Sequence, residues 1–324
     1  MNDNKLAGFV DTAATRTDDI SHLVAILIPC KNEEAAIARV VSEYRAELPH
    51  AEIIVCDNNS TDRTAEVAAT AGARVIRESR PGKGNAVRKL FGASNREICV
   101  LVDGDGTYAS KDIHKLLLPV LRGDADMVVG RRRTVADQLE AAYRAGHQFG
   151  NKAFSWAMSK MFGSTLHDVF SGYRVMSRRF VRSFPCLSSG FEIETELTAH
   201  ALGIGLSVVE IDSEYGDREE GSVSKLNTYR DGTRIALVLV YLYSQIKPKR
   251  FFGTLALVSF AASLGLGVPV ILEFLLTGLV PRFPTAILAS ALMLLAAIFA
   301  GGGLVLDSVS RGRREMKRLF YLLH

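Results

Sequence analysis

At 324 residues the chain is long enough for one large α/β domain and an added segment. A formal charge of only +4 is too small to argue for a nucleic-acid partner, and no aromatic–basic repeat supports one, so none is expected. Hydrophobic residues make up 48% of the chain, and their excess gathers after Phe251, which argues against a wholly soluble protein.

Residues 1–20 are polar and rich in Thr and Asp, and read as a loose tail lacking the apolar core of a signal peptide. Leu23 to Ile28 is a continuous apolar run, the pattern of a strand buried on both faces, with Pro29 expected to end it. Cys30-Lys31-Asn32-Glu33-Glu34 follows, then a helical pattern from Ala35 to about Leu48. A second strand over Ile53–Cys56 runs into Asp57-Asn58-Asn59-Ser60-Thr61-Asp62, where Ser60 or Thr61 can cap the next helix. A short third strand is expected at Ala73–Ile76, and Pro81-Gly82-Lys83-Gly84 opens a further helix. Strands alternating with helices at this spacing predict parallel βαβ units.

The run from Ile98 to Val102 ends in Asp103-Gly104-Asp105-Gly106. A buried strand ending this way sets its acids at the carboxyl edge of the sheet, where open α/β folds bind ligands. Asp103 and Asp105, two apart, point to the same side and can share one hard cation, Mg²⁺ or Mn²⁺, with positions left for phosphate oxygens. Gly104 lets the backbone turn tightly and a ligand come close. Asn32, Glu33 and Asp57 follow the first two strands, where a carboxylate can accept hydrogen bonds from ribose hydroxyls or a base N–H, or simply cap the next helix. Arg80 and Lys83 stand in a glycine-rich turn before a helix, a setting suited to an anionic group.

Asp126–Val129 is the next strand, ended by Gly130-Arg131-Arg132-Arg133, and residues 137–162 read as helical and carry Arg144. Asp168 precedes the loop Ser171-Gly172-Tyr173-Arg174, which enters a strand. Glu192, Glu194 and Glu196 open a helix, where acids are favoured electrostatically in any protein; one of them can instead contact a sugar or orient a basic residue. Ser207–Ile211 is strand-like, and Arg218-Glu219-Glu220-Gly221-Ser222-Val223-Ser224-Lys225 is a polar loop. The four cysteines, Cys30, Cys56, Cys99 and Cys186, are scattered without a Cys-x-x-Cys, and read as reduced, mostly buried thiols in a cytosolic compartment.

From Asp231 the character changes. Residues 231–250 suit a helix lying at a membrane surface, apolar and aromatic between basic flanks. Two spans are expected within residues 251–307, at Phe251 to about Leu272 and at Thr285 to Leu306, followed by a basic tail over 308–324. The positive-inside rule puts both ends in the cytoplasm and the connecting loop outside, making a multi-pass protein of the cell (inner) membrane.

Pro29-Cys30-Lys31-Asn32-Glu33-Glu34, Asp57-Asn58-Asn59-Ser60-Thr61-Asp62, Gly82-Lys83-Gly84 and Asp103-Gly104-Asp105 together resemble the ordered motifs of family 2 glycosyltransferases. Ser171-Gly172-Tyr173-Arg174, the Arg218–Lys225 loop and two C-terminal spans resemble the polyprenyl-phosphate branch of that family, which includes dolichol-phosphate mannose synthases and bacterial undecaprenyl-phosphate sugar transferases. The resemblance implies a Rossmann-like GT-A domain with a mostly parallel sheet over 21–230 and a C-terminal two-helix hairpin. It implies an inverting, metal-dependent hexosyltransferase of cell-envelope glycan biosynthesis, moving a sugar from a UDP- or GDP-sugar to a polyprenyl phosphate.

On that reading Pro29, Asn32, Glu33, Asp57, Arg80, Lys83, Asp103 and Gly104 contact the donor nucleotide, and Asp103 and Asp105 hold the metal. Arg131, Arg144, Arg174, Arg218, Ser224 and Lys225 receive the acceptor phosphate. Asp168 and Asp105 are the catalytic pair, Asp168 acting as a base or holding Arg174 and the acceptor in line. Two rival readings stay open: transfer to a glycerolipid or other membrane-lipid hydroxyl, and a catalytically silent, membrane-anchored nucleotide-binding protein. Assembly as a homo-oligomer is also left open.

Overall fold

The computed structural model describes residues 20–133, 166–190, 192–216, 240–241 and 243–323. The chain divides into one unit formed by Met1–Asp231 with Lys317–His324, and another formed by Gly232–Met316.

The first unit is built on a seven-stranded sheet. In chain order the strands are β1 (Val24–Cys30), β2 (Glu52–Asp57), β3 (Arg74–Arg77), β4 (Ile98–Leu101), β5 (Met127–Arg133), β6 (Arg174–Ser177) and β7 (Val208–Glu214). The helices are α1 (Ile37–Glu47), α2 (Thr64–Thr70), α3 (Lys83–Ala93), α4 (Ile113–Leu121), α5 (Arg178–Ser183) and α6 (Ile193–Gly203). The sheet order is β3-β2-β1-β4-β6-β5-β7, with β6 antiparallel to both its neighbours and the other pairs parallel. The expected mostly parallel sheet is therefore present, with β4 at its centre.

Strand alternation divides the core. Val24, Ile26 and Ile28 pack on one face with Ile37, Val40 and Tyr44 of α1 and Ile113, Leu116 and Leu117 of α4. Ala25 and Leu27 pack on the other with Val87 and Leu90 of α3, Phe180 of α5, and Ile193 and Leu197 of α6. Helices covering both faces make β1 and β4 continuous apolar runs. All four cysteines lie in or against these layers. Burial, the main cause, pushes the thiols of Cys56 and Cys99 up to about 12 and that of Cys186 up to about 11.

Pro29 does not end β1; the ladder continues, pairing Pro29 with Cys56 and Cys30 with Asp57. The reason is directional. Cys30 turns its carbonyl to β2, accepting from Asn58 N–H at 2.8 Å, so Pro29 faces β4, whose pairing with β1 already stops at Leu27–Leu101. The missing N–H falls where no ladder bond is due.

The second unit holds α7 (Pro248–Thr277) and α8 (Phe283–Leu322) as far as Met316, both helices long and apolar enough to cross a membrane. Both outrun the expected spans, and the basic tail continues α8 as helix. Their seam is small: Ser263 Oγ donates to the Ala289 carbonyl at 2.7 Å, Gly267 faces Ala289, and Gly303 faces Phe252. Small residues let apolar helices approach closely, and the hydroxyl finds its partner across the seam. At the turn, Glu273 pairs with Arg282 through two contacts of 2.9 and 3.0 Å, offsetting the charge at the hairpin end.

Candidate active site

Chain direction explains why distant residues meet. The carboxyl ends of β1, β2, β4 and β5 share one edge, and antiparallel β6 begins there, which brings the 168–173 loop to the same place.

Asp103 and Asp105 follow β4 at this edge, Asp103 partly exposed and Asp105 buried. Asp105 Oδ1 accepts from Thr107 N–H at 3.2 Å and from the Thr107 hydroxyl at 2.7 Å, which fixes the carboxylate. Gly104 packs on Cys30 and Ile28; a Cβ there would fall on the Cys30 sulfur. Among the described residues no group of three or more His, Cys, Asp or Glu converges as a complete metal cage. Two hard carboxylates fit instead a Mg²⁺ or Mn²⁺ ion that completes its sphere with water and phosphate oxygens.

Lys83 does not face an open anion cradle. Its Nζ lies 2.5 Å from Asp103 Oδ1 and 2.5 Å from Glu194 Oε1, with Lys83 and Glu194 largely buried and Asp103 partly exposed. Burial alone would lower the Lys83 ammonium, but the two carboxylates more than reverse this and hold it above the usual range. The glycines beside it serve packing: Gly84 N–H donates to the Gly190 carbonyl at 3.1 Å, and a Cβ on Gly84 would strike the Ser188 carbonyl. The expected phosphate cradle at the start of α3 is thus filled by the 188–190 loop. Arg80 is largely exposed and grips Glu78 with Nε and Nη2 at 3.0 and 3.1 Å.

The first two loops knit together. Thr61 N–H donates to Asn32 Oδ1 at 2.8 Å, Glu33 N–H donates to Thr64 Oγ1 at 2.9 Å, and Asp57 Oδ1 accepts from Ser60 N–H at 3.2 Å. Asp57 therefore closes a local turn as well as standing at the edge, its other oxygen 3.9 Å from Arg77. Buried Asn58, which the sequence reading passed over, pins the next loop: its amide donates to the Glu78 and Arg80 carbonyls and its oxygen accepts from Gly82 N–H at 2.7 Å.

Asp168 is buried, and Arg132 takes both its oxygens, Nε at 2.8 Å and Nη2 at 2.7 Å. Burial would lower the Arg132 guanidinium, and the Asp168 hydrogen bonds more than reverse it. Arg132 also lies over the Tyr215 ring, 5.5 Å from its centroid. Arg131 and Arg133 point to the other side of β5 and share Asp212 of β7, at 2.5 and 3.0 Å. The sequence reading gave Arg131 to the acceptor phosphate and Arg174 to Asp168; it is Arg132 that Asp168 holds.

Arg174 needs a larger correction. It is fully buried, donating to the Ser171 and Val169 carbonyls and, at 2.9 Å, to the Thr198 hydroxyl. Burial lowers it to about 10. It shapes the 169–171 loop from within, faces no solvent-borne phosphate, and is not held by Asp168.

Tyr108 couples the acidic loop to the Asp168 loop. Its oxygen accepts from Gly172 N–H at 2.8 Å and lies 3.3 Å from Ser171 Oγ, which itself donates to the Gly130 carbonyl at 2.5 Å. Gly172 abuts Asp103 so closely that a Cβ would overlap its carboxylate. Tyr108 and Arg132 are functional candidates the sequence reading missed. The signals were the tyrosine directly after the Asp-Gly-Asp-Gly-Thr run and the strand parity of three successive arginines. Arg144, Arg218, Ser224 and Lys225 lie outside the described residues.

A doubly wound sheet with two carboxylates at its central edge suits a metal-assisted enzyme of nucleotide diphosphates, and known proteins narrow the class. Residues 25–184 match the family model Glycosyl transferase family 2. Glycosyltransferase AglJ of Haloferax volcanii is 34% identical over 298 residues, covering 91% of this chain and 97% of that protein. The dolichyl-phosphate hexose transferase of the same organism is 30% identical over 218 residues, 67% of this chain and 92% of that protein. Among solved structures, glucosyl-3-phosphoglycerate synthase from Mycobacterium tuberculosis, in complex with Mn²⁺, UDP and glucosyl-3-phosphoglycerate, superposes with a TM-score of 0.55. It is 24% identical, covering 69% of this chain and 79% of that one, and supports the fold.

The chain belongs to glycosyltransferase family 2 and is a glycosyltransferase of the GT-A fold.

Proposed function

We propose that this enzyme transfers a sugar, with inversion, from a nucleotide diphosphate sugar to a polyprenyl phosphate at the cytoplasmic face of a membrane. Asp103 and Asp105 would hold Mg²⁺ or Mn²⁺, which neutralises the departing diphosphate. The observation that carries the acceptor assignment is the Arg132–Asp168 pair. A lipid hydroxyl must lose its proton and calls for a carboxylate base, whereas a phosphate monoester is already anionic. Asp168 has both oxygens on one guanidinium, an arrangement for orienting groups around an anion and poorly suited to taking a proton. Two apolar helices and the kinship with a dolichyl-phosphate hexose transferase support a long-chain lipid acceptor.

The role proposed for Arg144, Arg218, Ser224 and Lys225 is to receive the acceptor phosphate beside Arg132. Pro29, Asn32, Glu33 and Asp57 line the nucleoside side. Basic residues at the start of α7 and in the last turns of α8, with one Arg in the connecting turn, support a hairpin with both ends cytoplasmic.

The test is to supply the purified full-length protein, in vesicles holding polyprenyl phosphate and glycerolipids, with labelled UDP- and GDP-sugars and Mn²⁺. Label in a mild-acid-labile, alkali-stable lipid is the expected result. Label in a glycosylated glycerolipid would overturn the acceptor assignment. Tight donor binding without transfer would support the silent binding protein instead.

A further inference from the structure

Three charged side chains from three elements meet: Asp103 after β4, Lys83 at the start of α3 and Glu194 on α6. Lys83 Nζ is equidistant from the two carboxylates at 2.5 Å. Glu194 is only 5% exposed, and a carboxylate that deep is retained only with a partner. Its backbone is braced from behind. The Thr198 hydroxyl donates to the Glu194 carbonyl at 3.1 Å and accepts from Arg174 Nη1 at 2.9 Å. A continuous chain of contacts thus runs from Arg174 through Thr198, Glu194 and Lys83 to Asp103.

We infer that Glu194 is a positioning residue for the cation site: by sharing Lys83 it keeps that ammonium from neutralising Asp103 alone. The inference rests on the proposed metal role of Asp103. Asp103 and a divalent cation can engage through Oδ1, the oxygen that Lys83 touches. An ammonium pulled equally by Glu194 competes weakly for it. Once the Glu194 charge is gone, Lys83 belongs to Asp103, and an incoming cation must displace it. The carboxylate of Glu194 touches neither metal nor donor in this account; it acts through Lys83, as partners of metal ligands commonly do.

The test measures Mn²⁺ binding to the full-length protein with saturating UDP, by the loss of the free-ion electron paramagnetic resonance signal. Glu194→Gln is expected to weaken Mn²⁺ binding about 10- to 100-fold, the usual cost of losing such a partner. The double variant Lys83→Met, Glu194→Gln removes the competitor too and is expected to recover most of that loss, which a merely structural role for Glu194 would not allow. Wild-type affinity in Glu194→Gln, or a double variant as weak as the single, overturns the inference. Should Glu194→Gln fail to fold, Glu194→Asp keeps the charge and withdraws it by one methylene; weaker Mn²⁺ binding is then expected, and unchanged binding overturns the inference. Wild-type protein that takes up no Mn²⁺ with UDP overturns the metal assignment itself.

Discussion

Arg132 and Asp168 form a two-pronged ion pair, Nε and Nη2 at 2.8 and 2.7 Å from the two carboxylate oxygens, with the Arg132 backbone N–H adding a third contact at 3.2 Å. A fork matched to a carboxylate is specific to arginine and is not reproduced by lysine. The pair ties the end of β5 to the loop that precedes β6, the next strand in the chain and its antiparallel neighbour in the sheet.

Breaking this pair should be costly to catalysis. Arg132→Ala is expected to lower kcat/KM by about 2–4 kcal/mol, roughly 30- to 1,000-fold. Arg132→Lys should recover only part of this. Arg131→Ala, which leaves Arg133 on Asp212, should stay close to wild type, as exposed pairs contribute about 0–1 kcal/mol. Steady-state kinetics with donor and lipid acceptor varied separately would decide it. Equal losses in the Arg131 and Arg132 variants would refute the assignment of Arg132.

Asp105→Asn should abolish turnover while the protein stays folded, because an amide oxygen holds a hard cation far less well than a carboxylate. Thr107→Val, which removes only the hydroxyl that fixes Asp105 at 2.7 Å, should give an intermediate loss of about 1–2 kcal/mol. Circular dichroism beside the activity assay checks folding. Full activity of Asp105→Asn in the presence of a chelator would sink the metal assignment.

Tyr108→Phe removes one oxygen from the joint between the acidic loop and the Asp168 loop and leaves the ring packed against Tyr173 and Tyr215. The Gly172 N–H loses its acceptor, at an expected cost of about 1–3 kcal/mol. That loss should show in kcat more than in donor affinity, since the joint aligns the two halves of the site. UDP binding by calorimetry beside kcat tests this; a weakened UDP site with unchanged kcat would contradict it.

His200 predicts an acid-sensitive domain. Burial between Phe180 and Phe184, with Ser183 on Nε2 at 3.0 Å, lowers it to about 3. The unfolded chain binds its proton near pH 6.5, the folded one only near 3, so the unfolded state holds more protons between them. Stability should therefore fall as pH drops from about 6.5 toward 3. His200→Leu should flatten that part of the curve, and thermal melts across the pH range measure it. An unchanged slope would remove His200 as the cause.

The sheet was largely legible in the sequence because buried strands announce themselves as apolar runs, and acids after β4 mark the ligand edge. What escaped was set by tertiary direction. The sequence ends β5 at Val129, whereas the strand runs to Arg133, and only that extension fixes which arginine faces Asp168. Gly82-Lys83-Gly84 has the composition of a phosphate turn, yet the 188–190 loop, remote in sequence, takes the Gly84 N–H and Asn58 takes that of Gly82. Arg174 read as a residue of the acceptor phosphate site through its Ser171-Gly172-Tyr173-Arg174 motif, whereas antiparallel entry of β6 between β4 and β5 carries it into the interior. No local pattern encodes which neighbour a strand will lie beside.

The four sequestered thiols give the catalytic domain a built-in clock. Each is buried with its thiolate disfavoured, so none reacts readily with an alkylating reagent while the sheet is intact. Cys30 and Cys56 sit on neighbouring β1 and β2, Cys99 on β4 and Cys186 in the chain after α5, so together they sample both layers from the ligand edge to the rear. Residue-by-residue labelling in native membranes would then record the order in which the layers open, and donor binding would register as a delay at Cys30 before any other position.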